Sequence, residues 1–267
     1  MGREDRATGS MKNSYNPKYV LNNILGKFGY ILTKKQKRPI PLDLMDDTGF
    51  LDAYKQCRPY TKLQPEAVHS LWNATEYVVK QKIPGAIVEC GVWRGGAMMA
   101  SALRLRQYKD TGRKLFLYDT YEGMSEPTDK DINFKNHEAR GRFEESKRDG
   151  YNTWDYSPLS DVQKNLWSTG YPRENIIFIK GMVEDTLPKN MPGKIAILRI
   201  DTDWYESTKH ILKHLYPYVA DGGIVIFDDY GVWRGARLAV EEYIKENNLN
   251  LLLHRIDSGV RIAVKPN

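Results

Sequence analysis

Short, nearly continuous apolar runs alternate along this chain with segments whose apolar positions recur every third or fourth residue. The runs are Ala86-Ile87-Val88-Glu89-Cys90, Leu115-Phe116-Leu117-Tyr118, Ile195-Ala196-Ile197-Leu198 and Ile224-Val225-Ile226-Phe227. They read as strands covered on both faces. Between them, Ala67, Leu71, Ala74, Val78 and Val79 mark one face of a helix over 65–81, and Met98, Met99, Ala102 and Leu105 mark another over 95–108. The pattern further predicts a short helix over 160–168, a strand over 175–180, a helix from near Tyr205 and one carrying Leu238 to Ile244. Leu249 to Leu253 and Val260 to Val264 predict a closing pair around Asp257-Ser258-Gly259. Strand and helix in alternation predict an α/β fold with a mostly parallel, doubly wound sheet.

Two stretches break the alternation. Residues 120–170 are polar, rich in charge and aromatics and weakly periodic, which predicts a lid insertion. Near the start, Val20, Leu21, Ile24, Leu25 and Phe28 form a helical stripe followed by Lys34, Lys35, Lys37 and Arg38, a basic amphipathic segment over 18–38. That segment suits an anionic membrane surface, a second copy in a homo-oligomer, or its own domain. Residues 1–10 read as an appended or disordered leader, 11–63 as a helical, basic extension and 64–267 as the main domain.

At 267 residues and 41% hydrophobic content the chain can build one sizeable core. Its net charge of +6 lacks the interleaved aromatics of a nucleic-acid surface. Hydropathy excludes a transmembrane helix. Two cysteines far apart, Cys57 and Cys90, support neither a disulfide framework nor a zinc site. A reducing cytoplasm, at most at the inner membrane surface, fits this usage.

The chemistry gathers where the strands end. Asp201-Thr202-Asp203 closes one apolar run and Asp228-Asp229 the next, so the carboxylates are expected to converge at the carboxyl edge of the sheet. Converging carboxylates repel unless a proton or cation lies between them, and hard oxygen ligands suit Mg²⁺. Either run alone also serves as a helix cap or solvated turn. The first strand ends in Glu89-Cys90-Gly91-Val92-Trp93-Arg94-Gly95-Gly96, a glycine turn opening a helix without the lysine of a phosphate loop. Glu89 there would repel phosphate but suits an ammonium group. Asp119, at the end of the next strand, can take both hydroxyls of a ribose. A nucleoside bearing an amino acid, S-adenosylmethionine, fits the three signals together.

Assembled in order, these blocks resemble the macrocin O-methyltransferase (TylF-type) family, metal-dependent sugar O-methyltransferases of antibiotic tailoring and related glycan pathways. The likeness spans 84–264 and rests on Val88 to Gly96, Tyr118 to Met124, Glu184 to Pro188, Leu198 to Thr208 and Gly222 to Tyr230. It implies a class I methyltransferase fold, Rossmann-like, whose seven-stranded sheet carries helices on both faces. It implies S-adenosylmethionine as donor, with Glu89, Gly91, Trp93, Arg94, Asp119, Thr120, Glu184 and Asp185 around it. It also implies Mg²⁺ on Asp201, Asp228 and Asp229, and a carbohydrate-containing acceptor, small or lipid-linked. Thr202 stands where the family commonly has Gly, and Met182-Val183 where it often has aromatics beside the adenine.

In such a site Asp201 would serve as ligand and general base, with His137 of the insertion as the competing base. Tyr205, Glu206, Tyr230 and Arg234, next to the acidic runs, are candidate acceptor contacts. Two other classes stay open on sequence alone. Asp201-Thr202-Asp203 is also the Asp-x-Asp pattern of a metal-dependent glycosyltransferase, and the fold can persist as a non-catalytic interaction module.

Overall fold

The computed structural model describes residues 41–266, together with Leu21 and Leu25. The chain divides into two compact units, Met1–Pro41 and Leu42–Asn267. In the first, Leu21 and Leu25 are helical, and the rest of the predicted amphipathic segment lies outside the described residues. No helix among the described residues is long and apolar enough to cross a membrane.

The larger unit begins at Leu42, ahead of the expected domain start at 64. Helices α1 (Leu42–Asp46) and α2 (Thr48–Cys57) bury Phe50, Ala53 and Cys57 in the same core as Trp72 and Leu105. Asp47 joins them to α3 (Pro65–Lys80): its Oδ1 accepts from the Phe50 amide at 2.8 Å and its Oδ2 from Trp72 Nε1 at 3.1 Å. The first is an N-cap, satisfying an amide that has no partner within the helix.

Strand β1 (Ala86–Cys90) leads through α4 (Gly96–Gln107) to β2 (Leu115–Asp119). The insertion follows, with α5 (Ala139–Ser146), the small hairpin β3 (Lys147–Arg148) and β4 (Tyr151–Asn152), and then α6 (Leu159–Ser168). Next come β5 (Ile176–Lys180), the short α7 (Val183–Thr186), β6 (Ile195–Ile200), α8 (Tyr205–Leu215), β7 (Val219–Phe227) and α9 (Arg234–Glu246). Strands β8 (His254–Arg255) and β9 (Arg261–Val264) finish the sheet.

The seven strands lie in the order β5-β2-β1-β6-β7-β9-β8, parallel except that β9 runs antiparallel to both its neighbours. Alternation explains the two-sided cover. Ile87, Leu115 and Leu117 point into a core with α2, α3, α4 and α6, while Val88, Phe116 and Tyr118 point into a second core with α8 and α9. Strand β8 is two residues long, replacing the predicted strand over Leu249 to Leu253. Leu249, Leu251 and Leu253 pack on the second core, and only His254 and Arg255 pair with β9.

Order along the sheet locates the ligand crevice. The chain leaves β1 outward through β2 and β5, then returns to place β6 on the other side of β1. The β1/β6 gap is thus the topological switch point, where open α/β sheets bind ligands at their carboxyl edge. The insertion packs beside it as an ordered element. Trp154 meets Trp204 and Trp233 in a third core with Ala139, Phe143 and Ala236.

Candidate active site

At the switch point the backbone leaves β1 through Gly91, with φ at +85°. Asp201 N–H donates to Cys90 O at 2.8 Å, drawing the two strand ends together. A Cβ on residue 91 would stand 1.7 Å from the Asp201 carbonyl oxygen, so both conformation and space require glycine. The turn is then held from β2. Val92 and Trp93 amides donate to Asp119 Oδ2 at 2.6 and 3.0 Å, and the Tyr121 amide to Oδ1 at 2.7 Å. Burial pushes the Asp119 pKa up, and the three amide bonds oppose that shift.

Below the turn sits a guanidinium that the sequence reading passed over. Arg199, on β6 and only 3% exposed, donates from Nη1 to Glu89 Oε1 at 2.6 Å and to Asp201 Oδ2 at 2.7 Å, and from Nη2 to Asp228 Oδ1 at 2.6 Å. Glu89 is 1% exposed, and its Oε2 is buried with no protein partner. An unpaired buried carboxylate oxygen is costly, and it fits the ammonium of an amino-acid ligand. Burial raises the Glu89 pKa to about 7 despite the opposing charge of Arg199.

Around this guanidinium the carboxylates crowd. Asp201, Asp203 and Asp229 each offer an oxygen within 4.8 Å of the others, a hard, anionic donor set that fits a divalent cation. Asp228, expected as a ligand, accepts from Arg199 through Oδ1, as Asp201 does through Oδ2, and it lines the first cavity beside the cluster. Asp203 has positive φ and is fixed by Trp233 Nε1, which donates to its Oδ1 at 2.6 Å, while its amide donates to Asp229 Oδ2 at 2.9 Å. Burial first, then the charge of Asp201, raise the Asp203 pKa to about 7. Burial also carries Asp228 and Asp229 well above the usual carboxylate range.

Two cavities share this floor. One, of about 220 Å³, is lined by Lys62, Glu89, Trp93, Arg199, Asp228 and Asp229 among others; the second, of about 70 Å³, by Thr120, Met182, Val183, Glu184 and Ser207. Gly91, Asp119, Gly123, Met124, Asp201 and Asp203 line both. Lys62 reaches the first cavity from the segment before α3, its Nζ paired with Asp155 and lying 4.6 Å from the Trp93 ring centre.

Several expected site residues lie elsewhere. His137 is exposed on an insertion turn closed by Asn133, whose side-chain oxygen accepts the His137 amide at 3.1 Å. Arg94 turns outward to the Pro59 carbonyl at 3.0 Å, and Asp185 and Glu206 are exposed. Tyr205 is buried: Asp131 caps its amide at 2.8 Å and its hydroxyl donates to Glu242 at 2.6 Å. Tyr230 donates to Glu241 at 2.8 Å and Arg234 to Asn136 at 2.6 Å, and neither lines the two cavities. Arg199 had a signal after all, since a strand buried throughout can hold an arginine only if it is paired. Asp203 belonged to the converging run, with a helix cap as its other reading, and Lys62 carried no local signal.

Several known proteins are similar to this chain. The macrocin O-methyltransferase (TylF) family model matches residues 51–262. A tetracenomycin rhamnosyl 4'-O-methyltransferase of Streptomyces olivaceus is 33% identical, with 69% of this chain and 67% of that protein aligned. Mycinamicin III 3''-O-methyltransferase of Micromonospora griseorubida is 30% identical over 74% of this chain and 75% of its own length. Among solved structures, the O-methyltransferase NovP superposes with a TM-score of 0.68 at 28% identity, covering 78% of this chain and 83% of NovP. With switch point, glycine turn and acidic floor in place, the chain belongs to the macrocin O-methyltransferase family of S-adenosylmethionine-dependent enzymes.

Proposed function

We propose that this protein methylates a sugar hydroxyl of a glycosylated natural product or related glycan, using S-adenosylmethionine and a divalent cation, Mg²⁺. The observation that carries the reading is the floor of the first cavity, where Glu89 offers an unpaired oxygen and the Asp201, Asp203 and Asp229 cluster gathers, with Asp201 and Asp203 reaching the second cavity as well. One relative is named as a 4'-O-methyltransferase of a rhamnosyl tetracenomycin and the other as a 3''-O-methyltransferase of mycinamicin III, which supports the acceptor class.

Each residue then has a task. Glu89 Oε2 receives the donor's ammonium, and Asp119 faces the ribose while it keeps the turn in shape. Met182 and Val183 give the second cavity an apolar wall for the adenine, with Thr120 and Glu184 at its polar rim. Asp201, Asp203 and Asp229 would hold the cation, with Asp228 beside them. When bound, the donor supplies a sulfonium methyl whose bonding pair stays on sulfur, and the cation supplies charge favouring an ionised hydroxyl. Asp203, fixed through Oδ1 by Trp233, takes the hydroxyl proton at Oδ2. The turn, the insertion and Lys62 wall the reacting atoms from water and align them.

Thermal melting with S-adenosylhomocysteine, Mg²⁺ and both, beside nucleotide sugars with Mn²⁺, tests the reading. A rise with S-adenosylhomocysteine, followed by labelled-methyl transfer to sugar-bearing acceptors, is expected. A response confined to nucleotide sugars would replace it with glycosyl transfer. The same reading places the enzyme in the cytoplasm with segment 18–38 against an anionic membrane or a second copy. Sedimentation with anionic vesicles and mass measurement, with and without residues 1–40, separate those two.

A further inference from the structure

We propose that Arg199 is a positioning residue that couples donor binding to cation binding. The inference rests on the donor and cation reading above and adds to it the link between the two. One guanidinium engages one oxygen each of Glu89, Asp201 and Asp228, all within 2.7 Å. Its bonds therefore hold one oxygen of each carboxylate in place and leave the other free, Glu89 Oε2 for the ammonium and the second oxygens of Asp201 and Asp228 beside the cavity they line. Arg199 is 3% exposed and Glu89 1%, so the bond between them has little access to bulk water, while Asp201 and Asp228 meet solvent on their cavity side. A ligand that orders Glu89 holds the guanidinium in place, and the guanidinium holds Asp201. Order gained at one end is not purchased again at the other, and the coupling is reciprocal. The planar fork matters, because a lysine ammonium in the same place cannot span three carboxylates in fixed geometry.

Titration calorimetry of the full chain with S-adenosylhomocysteine, in chelator and in saturating MgCl₂, reads the coupling directly without any turnover. In the natural protein Mg²⁺ is expected to tighten S-adenosylhomocysteine binding by roughly 5-fold or more. In Arg199→Lys that ratio falls close to one, while S-adenosylhomocysteine still binds and the melt stays cooperative. A ratio unchanged in Arg199→Lys, or absent from the natural protein, overturns the proposal while leaving donor and cation binding intact. Should Arg199→Lys fail to fold, Glu89→Gln removes the donor end of the same link. It is expected to abolish the Mg²⁺ dependence of whatever S-adenosylhomocysteine affinity remains, and an undiminished dependence overturns the proposal equally. Failure of the natural protein to bind S-adenosylhomocysteine at all would remove the underlying reading, a separate and recognisable result.

Discussion

Asp119 turns both its oxygens to the protein's own backbone, so its replacement acts on the fold before it acts on any ligand. Asp119→Asn presents an NH₂ group to amides that need an acceptor, leaving at least one buried N–H unpaired at a cost of about 1–3 kcal/mol. The melt without ligands is expected to fall by that amount and S-adenosylhomocysteine affinity to weaken further; an unchanged melt would show that the turn does not depend on Asp119. Proton transfer gives a sharper contrast. Asp203→Asn is expected to lower kcat by roughly 10²–10⁴-fold, whereas His137→Ala stays near the natural rate, because His137 lies exposed and outside the cavity lining. Loss of activity in His137→Ala would return the base role to the insertion. At this scale the sequence revealed the residue types and their meeting place, since strand ends of one parallel sheet share an edge. It did not reveal which oxygen faces which partner. Asp228 and Asp229 are adjacent, yet the first turns to Arg199 and the second to the Asp203 amide, and only tertiary packing decides that.

The insertion shows the same limit for elements. Helices and strands with sustained periodicity were legible because burial on one face or two imposes a period on the sequence: the predicted helix over 65–81 is α3 and the run from Ala86 to Cys90 is β1, whereas β7 begins at Val219, ahead of the apolar run at Ile224, where glycine and aspartate hide the strand. Residues 120–170 had no such period, since their order comes from a few large aromatic rings that meet residues distant in sequence. Trp154 packs 5.5 Å from Trp204 and 6.2 Å from Trp233, measured between ring centres, and Arg142 lies 4.1 Å above the Trp154 ring. Trp233 in turn holds Asp203, so the insertion's core and the proposed proton acceptor share one side chain. Trp154→Ala removes a buried ring from that cluster, at about 3–5 kcal/mol by the usual cost of such a truncation. Trypsin is expected to cut the variant faster at Arg140, Arg142, Lys147 and Arg148, and kcat to fall although no residue touching the donor has changed. Equal cleavage rates with normal kcat would mean that the insertion stands without its aromatic core.

For the whole molecule the expected consequence of the proposed site is a stability that depends on pH and cation together. Glu89 and Asp203 hold their protons up to about 7, against ordinary values of 4.5 and 3.8, and Asp119, Asp228 and Asp229 are raised as well, burial being the largest cause at each. A carboxyl with a raised pKa in the folded protein stabilises it fully below the unfolded pKa, and that contribution is lost as pH rises through the folded value. The loss therefore begins near 3.8–4.5 and continues through about 7 for Glu89 and Asp203. In chelator, the melting temperature is expected to decline from about pH 5 to pH 8, opposite to a protein whose acids are held by salt bridges alone. Mg²⁺ would displace the protons of the aspartates that bind it, so its affinity and its stabilisation are both expected to grow with pH. Melts in chelator and in saturating Mg²⁺ across that range should diverge progressively. Curves that stay parallel, or a chelated protein that gains stability toward pH 8, would mean that the acidic floor is neutralised within the protein and is not the cation's seat.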